Sequence, residues 1–341
     1  MTNTDVTTDA ITDVTTTRAV LFDELGGPEV LRVHDVPLRR PGPGELLVKV
    51  QALGLNRAEA LFRAGAYYYQ PTLPGSRLGY EASGVVEAVA PDVTDFAPGD
   101  PVMTGPGIEM GTQGVYGDRV VLPATAVVAR SRTVDAITGA AAWLTYSTAY
   151  GGLVETAGMR PGDHVLITGA SSGVGTAALQ VARRVGAVPV ATTRTEAKKQ
   201  ALLDLGAEHV IVTDTEDVAK ETHRVTGGTG ADILFDAIGG PRLPDHAAAL
   251  RSRGTIVVYG WLDGPIAFPM NWPQTIHTYA NFLLPPDGRR RFDAFLATGL
   301  RDGALRPHIA EVFEGLDRVQ DAHRLMESNT HTGKIVVRIA E

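Results

Sequence analysis

From residue 164 to residue 259 short apolar runs alternate with helical stretches, and this alternation constrains the fold more than any other feature of the chain. Residues 165–168, 189–193, 210–213, 233–236 and 255–259 are apolar runs of strand length, and 174–185 and 198–205 carry helical periodicity. Strands that are apolar throughout are buried on both faces, and helical crossovers between them impose parallel pairing. The expected result is an α/β doubly wound parallel sheet of the nucleotide-binding type.

The remainder of the chain reads differently. Strand-like runs at 19–22, 46–53, 82–89 and 116–122 are punctuated by Pro41-Gly42-Pro43-Gly44 and Ala97-Pro98-Gly99-Asp100, where proline fixes φ and glycine accepts positive φ. Helical texture begins near Asp135, with small residues at 139–142, and runs past Tyr150. After about Ala280, helices at 288–300 and 317–326 precede a last strand at 334–339. A terminal strand needs a sheet, and the β-rich first segment offers one. The expected organisation is a tail (1–17), a β-rich domain in two parts (18–134 and 281–341), and a nucleotide domain (135–280) inserted into it.

The chain has 341 residues, enough for two domains with their own cores. Its 31 Lys and Arg against 39 Asp and Glu give a net charge of −8. The charges are scattered, which argues against nucleic acid as a partner. The absence of cysteine removes disulfides, thiolate zinc sites, iron–sulfur clusters and a cysteine nucleophile. Residues 1–17, rich in Thr and Asp, lack the basic start and apolar run of a signal peptide. With no apolar run of membrane-spanning length, a cytoplasmic protein acting on a small-molecule substrate is expected.

The stretch from His164 to Gly175 joins an apolar strand to a helix through Gly169-Ala170-Ser171-Ser172-Gly173-Val174-Gly175. Small residues let backbone approach a pyrophosphate, and the amides and dipole of a helix N-terminus favour its charge. Ala170, Ser172, Gly173, Val174 and Gly175 are the candidate contacts, although Ala170 and Ser172 replace two glycines of the strict Gly-x-Gly-x-x-Gly pattern. At the end of the second strand an NAD site would place a carboxylate. Here Arg194 and Lys198 follow instead, and a 2′-phosphate needs cationic donors. NADPH is the expected cofactor.

Beyond the tail the chain resembles the medium-chain dehydrogenase/reductase superfamily, in its zinc-independent quinone oxidoreductase and enoyl reductase-like branch. The resemblance rests on Gly26-Gly27-Pro28-Glu29-Val30-Leu31, Pro43-Gly44-Glu45-Leu46-Leu47-Val48-Lys49-Val50, Pro98-Gly99-Asp100, Arg160-Pro161-Gly162-Asp163 and Thr332-Gly333-Lys334-Ile335-Val336-Val337, in that order. It implies a Rossmann domain inserted into a GroES-like catalytic domain, with the site in the cleft between them, and a homodimer paired along the nucleotide-domain sheet, residues 255–259 and 266–268 being apolar enough to need cover. Zinc-dependent members carry Gly-x-Cys-x-x-Asp and Gly-His-Glu; this chain has Gly54-Leu55-Asn56-Arg57-Ala58-Glu59 and Gly79-Tyr80-Glu81. Asn and Tyr are poor zinc ligands, so no metal is expected.

The same resemblance makes Tyr67, in Gly65-Ala66-Tyr67, the candidate active-site tyrosine, and Asn56 a candidate for orienting substrate or nicotinamide. Tyr68 and Tyr80 become candidates for lining the substrate space, with Tyr80 filling the vacated metal cavity. Thr148, Ala237, Tyr259, Gly260 and Trp261 become cofactor contacts. The function implied is NADPH-dependent hydride transfer to an activated carbon–carbon double bond or a quinone. Two alternatives stand beside it: a tailoring enoyl reductase of the polyketide type, and an NADPH-binding protein without enzymatic activity.

Overall fold

The computed structural model describes residues 16–264, 266, 274–280 and 284–339. Strands β1 (Thr16–Leu21) and β2 (Arg32–Pro37) form an antiparallel pair. β1 starts inside the stretch read as a tail: Thr17 is buried and faces Val36 across the ladder. Its β-branched side chain suits a pleated, half-buried surface.

The β-rich domain contributes β3 (Glu45–Gly54), β4 (Glu81–Val89), β5 (Pro101–Thr104), β6 (Arg119–Pro123) and β7 (Val127–Ala129). In β3 the run read at 46–53 becomes a strand that pairs antiparallel with both β4 and β6. The nucleotide domain follows, with β8 (His164–Ile167), β9 (Val188–Thr193), β10 (His209–Val212), β11 (Ala231–Asp236), β12 (Leu250–Val258) and β13 (Thr275–Thr278). These six lie in the order β10-β9-β8-β11-β12-β13, all parallel. Strand order reverses between β8 and β11, which opens a crevice at the carboxyl ends of the strands, the usual ligand position in such sheets.

The chain then returns to the first domain. β14 (Ile309–Glu314) pairs with β15 (Lys334–Arg338), and β15 lies antiparallel against β3, giving the order β14-β15-β3-β4-β5-β7 with β6 on β3. The terminal strand therefore joins the β-rich sheet, and the Rossmann domain is inserted into a GroES-like one. The helix Trp143–Tyr150 packs on Pro286–Asp302 through Trp143 and Phe292, both fully buried, edge to face at 5.6 Å, in the same core as the strands of the parallel sheet.

Several elements differ from the sequence reading: the short strands β2, β5 and β7 lie outside the strand-like runs, and two further differences concern the sheet edges. Residues 255–259 do not form the sheet edge, because β13 covers β12 and is itself mostly exposed. Its sequence, Thr-Ile-His-Thr, has too little apolar character to read as a strand. β14 was likewise not anticipated, since none of its residues is fully buried. Of the apolar stretch 266–268, residues 267 and 268 lie outside the described residues. Among the described residues no helix is long and apolar enough to cross a membrane.

Candidate functional site

A cleft of about 2280 Å³ separates the two domains, well beyond the roughly 300–1,000 Å³ of an ordinary small-molecule pocket. One wall begins at the turn after β8. Ser172 caps the helix Gly173–Val185, its Oγ accepting from the Gly175 amide at 3.0 Å. Gly173 and Val174 open the helix on the cleft side, where their amides have no intrahelical partner. Gly175 and Ala170 lie behind them: a Cβ on Gly175 would come within 2.4 Å of the Gly169 carbonyl oxygen, and Ala170 is fully buried. Ser172, Gly173 and Val174 line the cleft, whereas Ala170 and Gly175 shape the turn.

Across the switch point, buried Asp236 fixes the next loop. It accepts from Thr168 Oγ1 at 2.7 Å and from the Gly239 amide at 2.6 Å, and Thr168 Oγ1 accepts from the Ala237 amide at 3.0 Å. The loop after β12 rests directly on this one, since a Cβ on Gly260 would lie 2.3 Å from the Ala237 carbonyl oxygen. Tyr259 stacks on Phe235 at 4.2 Å, and its buried hydroxyl, near Ser172, has no hydrogen-bond partner among the described residues. Trp261 and Leu262 are exposed at the cleft mouth.

Arg194 and Lys198 both line the cleft, but differ in their commitments. The Arg194 guanidinium is exposed and makes no hydrogen bond or ion pair among the described residues. Lys198 Nζ donates to the carbonyl oxygens of Asn329 (2.9 Å) and His331 (2.6 Å) and to Ser171 Oγ (3.3 Å). Burial and the nearby Arg194 charge lower the Lys198 pKa. Lys198 thus ties the loop before β15 to the nucleotide domain, and the Gly333 amide adds a bond to the Ser171 carbonyl oxygen at 2.8 Å. Thr148 lines the cleft as well, with Oγ1 donating to the Leu144 carbonyl oxygen.

The opposite wall is held by a buried polar network. Asn56 precedes the helix Arg57–Arg63, and its amide N–H donates to the Glu59 carboxylate at 2.8 Å. The side-chain amide is occupied at both ends: Oδ1 accepts from Lys334 Nζ at 2.6 Å and Nδ2 donates to the Gly54 carbonyl oxygen at 3.1 Å. Lys334 Nζ also sits 2.6 Å from Glu81 Oε2, an ion pair in which both side chains are nearly inaccessible. Burial pushes the Glu81 carboxyl up and Lys334 opposes it. Deeper in, Tyr116 donates to Glu59 at 2.6 Å, and fully buried His323 lies between Tyr116 (3.3 Å) and Arg63 (3.0 Å). Arg63 can only donate, so His323 accepts at Nδ1 and carries its proton on Nε2. Burial, with Arg63 and Arg57 nearby, pushes its pKa down to about 3.

Tyr80 projects a hydroxyl that donates to Tyr67 at 2.7 Å and meets Tyr69 at 3.1 Å. Burial raises the pKa of both Tyr67 and Tyr80. Tyr68 stands 70% exposed beside them at the mouth. Among the described residues no three His, Cys, Asp or Glu side chains come together to hold a metal ion. Sequence reasoning did not single out Lys334, Glu81 or His323. Glu59, three residues after Asn56, carries the capping-box spacing that could have flagged it.

Two family models match, an alcohol dehydrogenase GroES-like domain over residues 42–132 and a zinc-binding dehydrogenase over residues 173–282. Quinone oxidoreductase of Lama guanicoe is 31% identical over 327 residues, covering 94% of this chain and 97% of the relative. The chain belongs to the medium-chain dehydrogenase/reductase superfamily, in its quinone oxidoreductase-like branch. Another member, 2-haloacrylate reductase of a Burkholderia species, is 30% identical over 94% of this chain and 98% of its own length. Among solved structures, Escherichia coli quinone oxidoreductase complexed with NADPH matches with a TM-score of 0.87 at 25% identity, over 94% of this chain and 99% of that one.

Proposed function

We propose that this oxidoreductase uses NADPH to reduce the activated double bond of an α,β-unsaturated carbonyl compound or a quinone, without zinc. The observation that carries the reading is the pairing, across one cleft, of a dinucleotide-type turn with a tyrosine hydroxyl fixed by a second tyrosine. The residues present fit the cofactor. The open helix start at Gly173 and Val174 suits a pyrophosphate, and the exposed Arg194 guanidinium suits a 2′-phosphate, with Lys198 beside it. The Ala237 and Gly260 backbones form a close-set rim, and the unpartnered Tyr259 hydroxyl is available to a ligand group. Thr148, which lines the cleft, is assigned to flank the nicotinamide. The bound cofactor supplies hydride; relatives named for quinone and haloacrylate reduction, and the NADPH complex of one of them, support that assignment.

The protein's own contribution is orientation and charge. As hydride reaches the electrophilic carbon, negative charge grows on the acceptor oxygen, and the Tyr67 hydroxyl stabilises it by hydrogen bonding or proton donation. Asn56, its amide already engaged, is assigned to holding Lys334 in place. Tyr68, Trp261 and Leu262 are exposed apolar groups at the mouth, which favours, as a second reading, a bulky natural-product enone. Loss of NADPH absorbance after chelator treatment, measured across a panel of enones and quinones, tests the proposal. Turnover of at least one class is expected; tight NADPH binding with no acceptor reduced would leave a non-enzymatic NADPH-binding role.

A further inference from the structure

We infer that the half of the cleft faced by the tyrosines takes a neutral, ring-bearing acceptor and turns away one that carries a carboxylate, with Glu109 as the specificity-determining residue. The inference rests on the reductase reading above and narrows its substrate class. Around Tyr67 and Tyr80 the lining is uncharged, with Pro106, Ile108 and Leu144 beside the rings. Glu109 is the exception. It lines the cleft next to Met110, whose amide donates to the Tyr69 hydroxyl oxygen at 3.2 Å, and its charge is felt at the Tyr69 hydroxyl. A carboxylate therefore stands beside the tyrosine cluster.

That carboxylate is exposed but fixed, because Oε1 accepts from the Gly111 amide and Oε2 from the Thr112 amide, both at 3.0 Å. The Thr112 hydroxyl donates to Oε2 as well. Among the described residues no lysine or arginine forms an ion pair with it. The cations that line the cleft stand elsewhere or are engaged. Arg194, Lys198 and Arg242 belong to the nucleotide domain. Lys334 pairs with Glu81 at 2.6 Å, while Arg57 donates to the Met326 carbonyl oxygen at 2.7 Å and to Asn329 Oδ1, in the loop that Lys198 holds. On the other side of the charge balance, Asp263 follows exposed Trp261 and Leu262 and adds a second exposed carboxylate to the lining.

An acceptor carboxylate entering this half would give up water without gaining a cation, and it would meet a like charge that cannot swing away. Both effects oppose binding, since only a partner charge offsets the desolvation of an ion. A neutral acceptor meets neither. Specificity of this kind comes from what a site excludes. An ammonium at the same place on the acceptor would be attracted by Glu109 and by the aromatic faces near it.

The test uses the full chain, NADPH, and two acceptor sets, one of enones and one of quinones. Each set holds a neutral parent and its carboxylate and trimethylammonium analogues, substituted at one ring position. At low salt the wild type should prefer the neutral acceptor over the carboxylate by about tenfold or more in kcat/KM, with the ammonium analogue no worse than the parent. Glu109→Gln should narrow the neutral-to-carboxylate gap about threefold and Glu109→Lys about tenfold, and the narrowing should shrink at high salt. NADPH binding by fluorescence titration verifies that each variant is folded. A carboxylate reduced as well as its neutral parent, or a gap that neither variant narrows, would overturn the inference while leaving the reductase reading intact. A wild-type protein that reduces no member of either set overturns both.

Discussion

The two walls of the cleft are built by different physics. On the nucleotide side the work is done by backbone: a capped helix start, loops in van der Waals contact at Ala237 and Gly260, and an exposed guanidinium at Arg194. On the other side it is done by buried side chains, with Lys334 and Glu81 paired at 2.6 Å and Glu59, Tyr116, His323 and Arg63 linked behind them. A backbone-built wall tolerates change in its exposed side chains. A wall of buried charges couples the site to the stability of the whole domain, because each charge is tolerable only while its partner is present.

The sharpest break of that contrast is Lys334→Ala. It leaves the Glu81 carboxylate buried without its cation, and removing one partner of a buried pair costs about 3–5 kcal/mol. Urea unfolding should report a loss of that order, partly recovered in Lys334→Ala with Glu81→Gln. Arg194→Ala, on the nucleotide wall, should stay within about 0.5 kcal/mol of wild type. Similar costs at the two positions would erase the distinction.

Acid should find the same wall. His323 titrates at 6.5 when unfolded and at about 3 when folded, so the unfolded state binds the extra proton between those values. Its contribution to stability is fully present above about pH 6.5 and falls as pH drops toward 3, by up to about 1.4 kcal/mol per pH unit. His323→Gln, which keeps a donor and an acceptor but does not titrate, should flatten the acid limb of a stability–pH curve. An unchanged slope would mean that His323 is not what limits stability there.

The smallest expected effect is on the nucleotide wall. Losing a charge-assisted bond at an exposed site should weaken NADPH binding by about tenfold. Arg194→Ala should produce it and leave NADH binding nearly untouched. Lys198→Ala should do less, because its ammonium is already engaged by the Asn329 and His331 carbonyl oxygens. Fluorescence titration with both nucleotides separates the two, and unchanged discrimination in the double variant would show that neither cation reads the phosphate.

What the sequence made legible follows the same division. The turn from His164 to Gly175 and the cations after β9 are contiguous, so their chemistry is written in local spacing. The β-rich wall joins residues 56, 59, 63, 81, 116, 323 and 334, which meet only because β15 returns to pair with β3. No window of sequence contains that network. Lys334 looked like the start of a strand, and His323 like one more residue on an amphipathic helix. Tyr67 was legible as a motif position, but its contacts with Tyr69 and Tyr80 exist only in the folded chain. β13 escaped notice because an exposed edge strand carries little apolar signal.

The central claim is metal-free hydride transfer within this cleft. Its most direct test gives the chelator-treated protein an enone together with NADPH deuterated at one or the other C4 position, and reads the product by mass spectrometry and NMR. One of the two labels should appear at the β-carbon, with a solvent-derived hydrogen at the α-carbon. A product carrying no deuterium from either label, or transfer that occurs only after zinc is added, would contradict the account.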